Sequence, residues 1–120
     1  MREIKFRGKE YTGDWITGGY VHKNGAPHIV AHIVDRGVDE WRAIPVIPAT
    51  VGQFTGLRDA KGVEIYEGDI VRIASARVYE VIFEQCAYRV QRGKNKLALA
   101  DGLYYNVINN VHDAPELMKK

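Results

Sequence analysis

Residues 54–73 read FTGLRDAKGVEIYEGDIVRI, and whether their acids form a reactive cluster or a pair of turns decides what kind of protein this is. Asp59-Ala60-Lys61-Gly62 has the order of a tight turn: an aspartate first, whose short side chain bonds the backbone ahead of it, and a glycine last, which accepts positive φ. Glu67-Gly68-Asp69 repeats the device before Ile70-Val71-Arg72-Ile73, a β-branched run that reads as a strand. Turn chemistry explains Asp59, Glu64, Glu67 and Asp69 without a ligand, and their short spacing along turns predicts carboxylates that point outward into water. A calcium loop starting at Asp59 would need oxygen ligands at alternate positions, where Lys61 and Val63 stand. A catalytic acid–base pair would need two carboxyls converging across a cleft with separated pKa values. The stretch is read as a clasp that turns the chain and launches a strand.

Upstream of the clasp the pattern is extended. Ile4 and Phe6 alternate with Glu3, Lys5 and Arg7, the period of a half-buried strand, up to Gly8. Trp15–His22 is aromatic and β-branched, Asn24-Gly25 is a strong hairpin signal, and His28–Val34 reads as the returning strand with Pro27 at its mouth. Asp35–Glu40 reads as a polar loop, Trp41–Ile47 as an edge strand because of Pro45, and Pro48–Gly52 as a single helical turn. Downstream, Val78–Val90 predicts a hairpin with Tyr79, Val81 and Phe83 on one face of its first strand and Cys86, Tyr88 and Val90 on one face of the partner strand. Gly93–Lys96 turns the chain, Leu103–Asp113 supplies closing strands, and Asp113 before Pro115 predicts a capped C-terminal turn carrying Leu117 and Met118. No window sustains a capped 3.6-residue apolar period, so the expected class is mainly β.

The 120 residues suit one compact folding unit, read as subdomains 1–58 and 59–120. A 46% apolar and 27% charged composition excludes a disordered chain, and a net charge of +2 permits nucleic acid without demanding it. One cysteine, Cys86, cannot form an internal disulfide, which points to a reducing compartment. The N-terminal ten residues have no continuous apolar run, so neither a signal peptide nor a membrane anchor is expected and the predicted location is cytoplasmic.

Candidate chemistry is sparse. His28 and His32 have a spacing that suits a metal on a helix, but on a strand it places the rings about 13 Å apart. His22 pairing with His28 across the hairpin would bring two imidazoles together without a third ligand. Cys86 is expected to be buried with Tyr88 and Val90 rather than to act as a nucleophile. Phosphate-loop, dinucleotide and serine-hydrolase templates are absent. No catalytic, metal or cofactor residue is therefore assigned. Two surfaces remain. Arg89, Arg92, Lys94 and Lys96 cluster beside Tyr88 as a nucleic-acid contact, against the plainer reading of a solvated hairpin whose lysines discourage edge pairing. Trp15 and Trp41 are candidate anchors of a subunit interface.

Residues 1–10 (MREIKFRGKE), 46–73 (VIPATVGQFTGLRDAKGVEIYEGDIVRI) and 106–118 (NVINNVHDAPELM) together resemble the YopX family of small phage and prophage proteins, in the family's order. The resemblance implies an N-terminal meander subdomain, a C-terminal SH3-like barrel and a homo-oligomer. It carries over no activity, cofactor or catalytic residue. The chain departs from the family pattern at Asn109, in place of glycine, and at Ala114, in place of asparagine; asparagine tolerates left-handed backbone, so the first change is expected to keep its turn. The leading expectation is a non-enzymatic, oligomeric binding or accessory protein of a phage-infected or lysogenic bacterium, with a host or phage protein as partner. The alternative is a nucleic-acid-binding module, and an enzyme resting on the carboxylates and histidines is the weakest reading.

Overall fold

The computed structural model describes residues 3–73, 77–101 and 104–118. It is mainly β, with 65% strand against 7% helix, in two antiparallel sheets. The chain divides into two compact units, Met1–Gln53 and Phe54–Lys120.

In the first unit β1 (Phe6–Lys9), β2 (Trp15–Lys23), β3 (Ala26–Asp35) and β4 (Val38–Pro45) lie side by side in the order β4-β3-β2-β1. β1 also pairs with the start of β5 (Gly52–Arg58), Phe6 standing opposite Gln53. The β2–β3 hairpin turns at Asn24 and Gly25, both at positive φ (53° and 77°), as the sequence predicts. The loop expected over Asp35–Glu40 is instead a two-residue turn, Arg36 (φ 46°) and Gly37 (φ 84°), so Asp39 and Glu40 belong to a strand. Gly37 permits the tight turn and Arg36 follows it into left-handed backbone, a local strain that the ladder of eight β3–β4 partners outweighs. Little is buried here: Ile29 and Val46 are the buried apolar side chains described in this unit. Gly8 lies so close to Val46 that a Cβ would sit 2.8 Å from its Cγ2, and Thr50 Oγ1 accepts the Lys9 amide at 2.9 Å, which ties the Pro48–Thr50 3-10 turn to β1.

In the second unit the rest of β5 pairs with β6 (Glu64–Tyr66), so Phe54–Arg58, read above as part of the clasp, is a strand. A five-stranded sheet follows, β7 (Asp69–Ile73), β8 (Arg77–Glu84), β9 (Ala87–Arg92), β10 (Asn95–Ala98) and β11 (Tyr105–Asn110), in the order β10-β9-β8-β7-β11. Ile65, Val71, Tyr79, Val81, Val90 and Tyr105 form its core, each fully buried aliphatic side chain contributing about 1.5–3 kcal/mol. These pairings do not by themselves establish the SH3-like barrel that the family resemblance implies.

Two further places differ from expectation. Gln85 and Cys86, at φ 53° and 62°, are the turn of the β8–β9 hairpin, because β8 and β9 pair from Glu84 and Ala87 outward. Asn109 sits in β11 at a register shift against β7 rather than in a left-handed turn, and Asn110–Asp113 is a turn in which Asn110 Oδ1 accepts the amides of His112 (3.0 Å) and Asp113 (2.9 Å). Leu103, where the closing strand was expected to begin, lies outside the described residues.

Candidate functional site

The acids of the opening stretch lie at turns, but its two aspartates do not face water. Asp59 is buried, at 3% exposure. Its Oδ1 accepts the amides of Lys61 (2.8 Å) and Val63 (2.9 Å), and its Oδ2 accepts the Val107 amide of β11 (2.9 Å). Burial alone would raise its pKa; the amides of Val107, Val63 and Lys61, with the Lys61 charge, outweigh that and hold the carboxyl below the usual range. Asp69 is equally buried and its Oδ2 accepts the Tyr66 amide at 2.7 Å. Glu64 and Glu67 are half-buried, Glu64 bonding the Tyr66 hydroxyl (3.0 Å) and Arg58 (3.2 Å). The outward, solvated placement is thus corrected: a turn aspartate that accepts several backbone amides must sit beneath its turn. The two aspartates bind backbone donors and Glu64 binds side chains of its own unit.

The histidines separate. His22 stands opposite Pro27 and His28 opposite Val21, so the cross-hairpin imidazole pair does not form. His28 Nδ1 lies 3.0 Å from the Ala26 carbonyl. His32 hydrogen-bonds Asp39 and stacks on Trp41, ring centroids 4.8 Å apart. Among the described residues no group of three or more His, Cys, Asp or Glu side chains is placed to hold a metal ion. Cys86 is exposed rather than buried with Tyr88 and Val90, because it occupies the turn.

The four basic residues do not share one face. Residues directly opposite in a ladder share a side of the sheet, so the pairs Ala98–Arg89 and Lys96–Gln91 place Arg89 and Lys96 on one face, and Arg92, opposite Asn95, lies on the other. Lys96 is held by Glu84 at 2.8 Å, and Arg89 Nε reaches the Glu84 carbonyl at 3.4 Å. Arg92 donates to the Val78 carbonyl at 3.1 Å. With Lys94 in the turn and Arg77, a residue sequence reasoning passed over, Arg92 lines a recess of about 560 Å³ completed by Gly93 and Asn95. Ladder parity, not sequence proximity, brings Arg77 and Arg92 together.

The tryptophans also differ. Trp15, half-buried, carries the Arg7 guanidinium 4.9 Å from its ring centroid. Trp41 is 70% exposed on β4, and Val34 (69%) and Val38 (39%) are exposed at the same end of the β3–β4 hairpin. β4 ends the strand order and, among the described residues, no strand lies beyond its outer edge along Val38–Ala43.

The family model described as YopX protein matches residues 5–119, nearly the whole chain and both units. The chain belongs to the YopX family. This YopX-family chain is similar in structure to protein EF1440 from Enterococcus faecalis, whose crystal structure superposes with a TM-score of 0.63 at 22% identity, over 99% of this chain and 100% of that one. At that identity the likeness shows a shared fold. No curated protein matches the YopX-family chain. No helix among its described residues is long and apolar enough to cross a membrane.

Proposed function

We propose that this chain is a non-enzymatic, phage- or prophage-encoded binding protein that acts in the bacterial cytoplasm as a homo-oligomer and engages a host or phage protein. One observation carries the reading: Trp41, 70% exposed, sits on a strand whose outer edge is open among the described residues. A large aromatic beside unpaired backbone groups is costly in water and productive at an interface. Asp59 and Asp69, bonded to backbone amides, do not form an acid–base pair that would favour catalysis instead. Sedimentation at micromolar concentration is expected to give a species larger than the 13.6 kDa chain, and Trp41→Ala to shift it toward monomer. A strictly monomeric wild-type protein would overturn the proposal.

A second reading rests on the Arg77–Arg92–Lys94 recess, which suits the phosphates of a nucleic acid. Binding should then weaken steeply with salt, and Arg92→Glu with Lys94→Glu should reduce it across all sequences. No DNA or RNA binding at low salt dismisses this reading.

A further inference from the structure

The β3–β4 turn fixes which backbone groups of β4 face outward. In a two-residue hairpin the closing pair, here Asp35–Val38, exchanges hydrogen bonds, and hydrogen-bonded and non-hydrogen-bonded pairs then alternate. Val46 N donates to Pro27 O at 3.3 Å, in phase with that alternation. Asp39, Trp41, Ala43 and Pro45 therefore present their backbone groups to the outer edge, which is also where a proline, lacking an N–H, does least harm. Beyond them Ile47 N, in the same phase, is already taken by Lys9 O at 2.8 Å, so the open stretch ends there.

We propose that this open stretch pairs antiparallel with the same stretch of a second copy of this chain, on a two-fold axis at Trp41. The sequence V38-D-E-W-R-A-I44 is self-complementary about that residue and about no other. With the axis at Trp41, Glu40 faces the second copy's Arg42, Arg42 its Glu40, and Val38 its Ile44. These are non-hydrogen-bonded pairs, where side chains approach most closely. Trp41 meets its own copy on the other face, above the His32 ring on which it stacks. An axis at Glu40, Asp39 or Arg42 would oppose like charges, and one at Ala43 would set Trp41 against Pro45, which has no N–H to donate, and Asp39 against Ile47, whose N–H is taken, so the edge favours the register at Trp41. Within one chain Arg42 and Glu40 already hydrogen-bond each other, both about half exposed, and pairing exchanges partners without burying an unmatched charge.

The inference rests on the self-assembly proposed above and specifies its contact. Glu40→Arg and Arg42→Glu proteins should each self-associate about tenfold or more weakly than wild type, because each opposes like charges twice across the axis. An equal mixture of the two should regain association as a mixed species, and so should the double variant Glu40→Arg/Arg42→Glu. Circular dichroism of the separate variants, and their melting at concentrations where wild type is dissociated, should match wild type, which separates a lost contact from a lost fold. Single variants that associate like wild type, or a mixture that fails to recover, overturn the register while leaving self-assembly standing. A monomeric wild-type protein ends both.

Discussion

The two units of this chain spend their sequence differently. Phe54–Lys120 holds a cluster of fully buried aliphatics and tyrosines, and it uses buried aspartates to satisfy backbone amides that the turns would otherwise strand. Met1–Gln53 buries Ile29 and Val46 and leaves Tyr20, Val34, Val38 and Trp41 in water. The first pattern is that of a unit with a well-buried core, although Phe83, Leu97 and Tyr104 stay exposed on it. The second is that of a sheet held by the ladders of its strands, with little apolar burial of its own.

The sharpest way to break this contrast is Asp59→Ala. It leaves the amides of Lys61, Val63 and Val107 without their acceptor, and a cost of about 3 kcal/mol or more is expected from chemical denaturation. Trp41→Ala, by contrast, should change association while leaving the monomer's denaturation midpoint nearly unmoved. The lowered pKa adds a sign. A carboxyl with a depressed folded-state pKa contributes stability above its unfolded value, near 3.9, and loses it as pH falls through the folded value. The wild-type protein should thus lose this increment in acid, and Asp59→Ala should not. Equal losses for Asp59→Ala and Trp41→Ala would erase the distinction between the units.

Much of this was legible in sequence where a residue has one cheap conformation. Asn24-Gly25, Asp59–Gly62 and Gly68 announce their turns, and Pro45 announces an edge. The Arg36-Gly37 and Gln85-Cys86 turns were hidden because Arg, Gln and Cys have no preference for left-handed backbone; the strands on either side impose it. The burial of Asp59 was hidden because one of its donors, Val107, is forty-eight residues away. The basic recess was mis-assembled for the same kind of reason: Arg77 and Arg92 are neighbours only through the β8–β9 ladder, whereas Arg89 and Arg92 are neighbours in sequence and strangers on the sheet. Trp41 stood out in the sequence as a large aromatic, but its His32 stack and its place on an open edge needed the register.

The smallest expected effect sharpens the contrast from the other side, by testing whether the well-packed unit carries a cost of its own. Glu80, on β8, has its pKa raised by burial and, secondarily, by the charge of Glu67. A carboxyl raised in this way favours the folded state below its unfolded pKa and gives that advantage up as pH rises through the folded value. At neutral pH Glu80 is charged in the unfolded chain, and the fold must hold that charge partly buried and near Glu67. Glu80→Gln should therefore stabilise the protein at pH 7 by no more than about 1 kcal/mol, a shift of a few degrees in melting temperature, and should give little or no gain near pH 4. Because the substitution keeps size and hydrogen-bonding capacity, the pH dependence isolates charge from packing. A gain of the same size at both pH values would mean that the side chain's fit, not its charge, limits the unit, and the second unit would then be less completely closed than its buried core suggests.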